Sequence, residues 1–244
     1  MPEPQTELPE EALRFLRPTH YIDSDSSEVH GFAKAALADL PPGSDKTRIA
    51  IRLFEAVRDG LRYDPYCFAL DERSYRASVI AGMNSAFCVP KAILLTACLR
   101  AVGIPAAVGF ADVKNHLNTP KLRELMGTDL FIYHGYVKLW LENGCAFKVT
   151  PAFNSELCER FGVKPLVFDG TADALFHEYD QGGRRHMEYV RDHGVFADPP
   201  IPEFLRVFRE TYPALEKWNR ARLKGAAAAD DPGFAAAGVR EGTR

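Results

Sequence analysis

The sequence predicts an α+β fold, with helices before and around a mostly antiparallel set of strands. Three observations carry this. Apolar residues at helical spacing run through the first sixty residues. A helix that is apolar almost all round follows, over 89–102. Two strand-like runs, 131–142 and 145–150, then flank Asn143-Gly144, the dipeptide that most strongly signals a hairpin. The order is not the regular alternation of strand and helix that a parallel sheet needs.

The first eight residues read as a loose arm, and a helical pattern starts at Glu10 and ends before Pro18. Ser26 or Ser27 caps a helix running to about Leu40, where Pro41, Pro42 and Gly43 break it. Ser44 is the expected N-cap of the next helix, whose Ile49, Leu53, Phe54, Val57 and Leu61 share one face. Tyr63-Asp64-Pro65 ends it, because proline disfavours helical geometry in the residue before it.

The loop 82–87 leads into Cys88 and the apolar helix. Pro90 sits in the first turn, where a missing N–H costs little, and Gly103 stops the helix. A strand is expected over 104–113 and a short helix after Thr119-Pro120. The hairpin comes next, followed by a helix opened by Asn154 or Ser155. Extended pieces are expected near 166–168 and 188–196, and helices over 202–212 and 213–224. From Gly225 the chain is low in complexity, has little to bury and is expected to be disordered. The expectation is one domain over 1–224, with its core at about 44–160, plus that tail.

Composition narrows the function. The chain has 244 residues and a net charge of −3, from 30 basic and 33 acidic side chains. A basic nucleic-acid binder looks different, so no nucleic-acid partner is expected. The longest apolar run, Ala92 to Leu99, is far short of the ~20 residues of a membrane helix, so no membrane partner is expected either. The acidic, proline-bearing start lacks the pattern of a signal peptide. Five cysteines without a CxxC pair then point to reduced thiols in the cytoplasm. There is no GxGxxG, P-loop, GxSxG or calcium-loop motif, and no cofactor is expected. His177, His186, His193 and Cys158 match neither a zinc-finger spacing nor HExxH, so no metal is expected. Arg184-Arg185 reads as a solvated charge pair.

One cysteine stands apart. Cys88 opens a buried helix, where free N–H groups and the helix dipole favour a thiolate. An imidazolium nearby would lower its pKa further. His134 is the best candidate, set in a strand with Gly135 beside it to let another backbone or a substrate approach. The hairpin returns Thr150 to face that histidine, in the position of the group that orients an imidazole. Tyr133 or Tyr136 points into the same cleft, since strand neighbours face opposite ways. His116, just after a strand, is a further candidate to line it. Cys98 reads as core, and Cys67, Cys145 and Cys158 read as structural.

The run Phe87-Cys88, continuing through the helix to Arg100-Ala101-Val102-Gly103-Ile104-Pro105-Ala106, resembles the signature of the transglutaminase-like superfamily. In that family a cysteine opens a helix that closes on R-A-x-G-I-P-A. A histidine follows on the next long strand, and an aspartate before a proline on the one after. His134 matches the histidine, and Thr150-Pro151 stands where Asp-Pro is expected. The likeness spans about Leu61 to Asn154. Phe168-Asp169-Gly170 and residues 185–190 resemble an extension of a bacterial subgroup. Two positions depart from the pattern: Ala86, where a glycine is frequent, and Thr150, which brings no charge. Asp169 or Asn154 could serve as the third residue instead.

The resemblance implies a papain-like, transglutaminase-like core in which the cysteine helix packs on an antiparallel sheet. It also implies thiol-dependent acyl transfer. Cys88 attacks a peptide or carboxamide carbonyl, His134 protonates the leaving amine, and a thioester is resolved by water or an amine. The Cys88 N–H and the Asn84 side chain would be the oxyanion donors. The substrate would be a peptide, a protein or a small amide, with hydrolysis ranked above cross-linking. The rival expectation is a binding or scaffold module that has lost turnover, which Thr150 in place of aspartate favours.

Overall fold

The computed structural model describes residues 8–115, 119–142, 144–175 and 187–223. His116, Asn143, His177, Arg184, Arg185, His186 and the tail from Gly225 lie outside these described residues. The chain opens with α1 (Glu10–Leu13) and a 3-10 turn (Arg14–Leu16), then α2 (Ser27–Ala36) and α3 (Lys46–Gly60). Ser26 caps α2 by accepting from the Val29 N–H. Asp45, not Ser44, caps α3, accepting from the Arg48 N–H at 2.8 Å. Ser44 instead donates to the Pro41 carbonyl at 2.7 Å and closes the proline turn. A carboxylate at the positive end of a helix dipole outcompetes a neighbouring hydroxyl. The helix expected to reach Leu40 ends at Ala36.

A two-residue strand β1 (Arg62–Tyr63) pairs in parallel with β2 (Ser85–Ala86). Between them lie a second 3-10 turn (Glu72–Tyr75) and α4 (Ala77–Ile80). Then come α5 (Cys88–Ala101), β3 (Ala106–Asn115), α6 (Pro120–Met126), β4 (Leu130–Trp140) and β5 (Ala146–Val149). The chain closes with α7 (Ser155–Phe161), β6 (Met187–Phe196), α8 (Ile201–Thr211) and α9 (Pro213–Leu223). The main sheet has the order β5-β4-β3-β6, with every neighbour antiparallel.

Helix α5 packs on β3 and β4 on one side and against α2, α3 and α4 on the others. That enclosure explains a helix with no polar face, since every residue from Cys88 to Arg100 is buried. Its end is fixed in two ways. Gly103, at φ +75, donates its N–H to the Arg100 carbonyl, and Ile104 donates to the Leu99 carbonyl. The Arg100 guanidinium donates at 2.8 Å to the carbonyls of Ala106, Arg17 and Ala197. It thereby joins the helix end to the start of β3, the N-terminal segment and the end of β6.

The sheet's two faces are distinct. Val137 and Leu139 of β4 face α5 within the main core. Tyr136 and Trp140 face the other way. Trp140 stacks on Phe15 at 5.0 Å, which is how the N-terminal turn covers the far face.

Candidate active site

Cys88 is the first residue of α5, and His134 lies near the middle of β4. Both line one cavity, and both are buried, at 8% and 2% exposed. Gly135 allows β4 to come this close to the helix. A Cβ built on it would sit 3.0 Å from the Val89 Cα and 3.2 Å from the Cys88 carbonyl oxygen, tight enough that the neighbouring backbone would have to give way.

Strict strand alternation would send Tyr133 and His134 to opposite sides of the sheet. Both line the Cys88 cavity. The cause is a local defect. Tyr133 has φ +52, the only positive φ among the described non-glycine residues. It lies beside a register shift between Ala111 and Val113 of β3. The extra residue is on β4, where Ile132 and Tyr133 together stand opposite Asp112. Asp112 accepts from the Tyr133 N–H at 3.0 Å and bonds His193 Nε2 at 2.8 Å. The His193 ring stacks on Tyr133 at 4.5 Å. Bulges of this kind re-aim side chains beside functional sites.

The electrostatics differ from the thiolate–imidazolium pair expected at the sequence level. Burial pushes the Cys88 thiol up to about 11, against the pull of backbone N–H groups from Gly135, Val89 and Cys88 itself and of the Lys91 charge. Burial likewise pulls His134 down to about 4. The resting pair is therefore a neutral thiol and a neutral imidazole. Desolvation here outweighs the N–H groups at the helix start.

Lys91, one turn along α5, is wholly buried. Its Nζ donates to the carbonyls of Arg58 and Leu61 at 2.7 Å and of Ala152 at 2.8 Å. Burial pulls its pKa down to about 7. Only the charged ammonium has three N–H bonds to match three acceptors, so these contacts favour the protonated form. Lys91 thus clamps the start of the cysteine helix to the end of α3 and to the chain after β5. Nothing in the sequence pattern marks it, because lysines are seldom buried.

The other expected residues divide. Thr150 and His134 line a second cavity, on the side away from Cys88, together with Cys158. Cys158, read from sequence as structural, therefore shares a cavity with the histidine. Tyr133 lines the Cys88 cavity, while Tyr136 is on the far face of the sheet. Tyr136 donates there to Asp192 at 3.0 Å, and its ring lies over Gly109. Asn84 is exposed and holds β1 through its backbone carbonyl, which accepts from the Arg62 N–H at 3.0 Å. It does not line the cavity. Asp169 is exposed, its carboxylate taken up by the Thr171 N–H and hydroxyl at 2.8 and 2.7 Å. Asn154 heads α7 and accepts from the Tyr63 N–H at 3.0 Å, so it braces the wall of the cleft rather than facing it. Among the described residues no cluster of three or more His, Cys, Asp or Glu side chains is placed to hold a metal ion.

A cysteine at a helix start, a histidine on the packed strand and a threonine one strand further is the arrangement now in view. The family model of the transglutaminase-like superfamily matches residues 35–148. The chain carries a transglutaminase-like core. That core runs from α2 to β5 and includes Cys88 and His134, while Thr150 falls just past its edge. It begins earlier than the likeness read from sequence, which starts at about Leu61. No curated protein matches the chain. A solved structure from Cytophaga hutchinsonii, described as a candidate cysteine protease, aligns with a TM-score of 0.44 at 16% identity. The alignment covers 61% of this chain and 44% of that one, so the chain spans less than half of that protein's length. No helix among the described residues is long and apolar enough to cross a membrane.

Proposed function

We propose that the protein is a cysteine-dependent acyl-transfer enzyme that hydrolyses or transamidates a peptide or carboxamide bond. The observation that carries this reading is that Cys88, at the first turn of α5, and His134 line one cavity. With both groups neutral at rest, His134 acts first as a general base. It takes the thiol proton as the sulfur attacks the carbonyl carbon. The backbone N–H of Cys88 is a donor to the developing oxyanion. His134 then passes its proton to the departing nitrogen, the C–N bond breaks, and a thioester remains. Water or an amine attacks that thioester, giving its proton to His134, and Cys88 recovers the proton as the acid or new amide leaves. Thr150 shares a cavity with the imidazole and is the candidate for the orienting role, although its Oγ1 makes no hydrogen bond to His134 at rest.

The second reading is a binding module without turnover. Thr150 in place of a carboxylate and the high thiol pKa favour it. Residue-resolved alkylation by iodoacetamide over pH 5 to 9, on wild type beside His134→Ala, separates the two. The enzyme expects Cys88 to outpace Cys67 and Cys145 at neutral pH and to slow at least about tenfold without its base. A Cys88 that keeps pace with the other thiols and ignores the loss of His134 favours the binding module.

A further inference from the structure

The cavity beside Cys88 has a one-sided chemistry. Away from Cys88 and His134, no charged side chain lines it. Its walls include Leu122 and Met126 of α6, Phe204 and Phe208 of α8, and Leu215 of α9. Its hydroxyls belong to Tyr63, Tyr133 and Tyr212, and the last two are already engaged. Tyr212 accepts from the Ile132 N–H at 2.8 Å and donates to the Leu130 carbonyl at 2.7 Å. Tyr133 donates to Glu203 at 3.3 Å. A carboxylate, ammonium or amide entering between α6 and helices α8 and α9 would shed water among apolar side chains, which is costly. An alkyl chain would lose nothing.

The size is limited as well. Water centres can occupy about 40 Å³ of the cavity, room for about three waters. That is roughly the bulk of a branched aliphatic side chain. The aromatic wall is well packed, since Phe208 stacks on Phe68 at 3.7 Å and Phe204 is wholly buried. Helices α8 and α9 lie outside the matched segment 35–148, so this wall is not part of the family core.

We propose that the acyl donor carries an uncharged aliphatic chain of about four to six carbons, counting the attacked carbonyl, seated between α6 and helices α8 and α9. This rests on Cys88 being the nucleophile. The cavity selects by excluding charge at its inner end and length beyond its depth.

p-Nitrophenyl esters of acetate, butanoate, pentanoate, hexanoate, decanoate and succinate test this on the full chain. In each, the Cys88 sulfur bonds to the acyl carbon, the thiol proton passes to His134, and the ester C–O bond breaks to release p-nitrophenolate. Nitrophenolate release gives the rate, intact-mass and peptide analysis gives the acylated cysteine, and N-acetylcysteine gives each ester's intrinsic reactivity. The expected corrected rate on Cys88 rises about fourfold per methylene from acetate to pentanoate. It levels or falls by decanoate, and succinate runs at least about tenfold below pentanoate. Leu122→Ala should move the optimum to longer chains, and Met126→Phe to shorter ones. If either variant fails to fold, the other still reads depth. Equal corrected rates for all esters on Cys88, or succinate matching pentanoate, would overturn the apolar assignment while leaving the nucleophile in place. Acyl groups spread evenly over the five cysteines, or absent from Cys88, would instead overturn the nucleophile.

Discussion

Thr150 presents a hydroxyl that the fold does not need. It is 2% exposed, and its Oγ1 has no hydrogen-bond partner among the described residues. A buried polar atom left in that state costs on the order of 1 kcal/mol or more. Thr150→Val removes the cost with little change of shape, so the variant should melt higher by about 1 kcal/mol of stability. If Thr150 orients His134, the same change should lower acyl transfer about tenfold or more. A thermal melt and a rate on one preparation check this. A rise in stability with no loss of rate would remove Thr150 from the mechanism. At this scale the sequence was informative where chemistry is local. A cysteine at a helix start and a histidine beside a glycine are visible as letters. Lys91 was not, because its role depends on three carbonyls from segments 30, 33 and 61 residues away.

Among the elements, α5 was the most legible, since Pro90 and Gly103 bracket it and its residues announce burial. Strand β4 was legible in extent but not in its fine geometry. The bulge of β4 opposite Asp112 and the left-handed Tyr133 arise from the pairing of β4 with β3, which periodicity does not encode. That is why strand periodicity alone does not rank Tyr133 against Tyr136. Helices α8 and α9 were expected as helices, yet their place in the cleft follows from tertiary packing alone. The clamp between α5, α3 and the segment after β5 is open to test. Lys91→Met would leave three buried carbonyls without their donor, and should cost about 4 kcal/mol and roughly 10 °C in Tm. Differential scanning calorimetry measures it. A loss under about 1 kcal/mol would show that the carbonyls find other donors.

For the molecule as a whole, the buried pair shapes how stability depends on pH. His134 falls from an ordinary 6.5 to about 4 on folding. Between those values the unfolded chain binds a proton that the folded one refuses, so stability drops as pH falls from 6.5 to 4, by about 3 kcal/mol. Cys88 rises from 9.0 to about 11. Between those values the folded chain keeps a proton that the unfolded one releases, so stability drops again as pH climbs from 9 to 11, by a similar amount. Lys91, held at about 7 against an ordinary 10.5, works against the Cys88 limb, since stability climbs with pH between those two values. Urea midpoints across pH 4 to 7 should therefore show the acid limb most cleanly. His134→Gln should flatten the acid limb and leave the alkaline one. An unchanged acid limb would mean that other groups set it.

The wall that α8 and α9 build has a consequence in time. At about 5–20 residues per second, a ribosome finishes the segment 35–148 several seconds before it has made Phe204, Phe208 and Leu215. During that interval a nascent chain holds Cys88 and His134 but lacks one side of the chamber around them. Whatever selectivity the finished protein has is thus acquired last, when the closing helices dock.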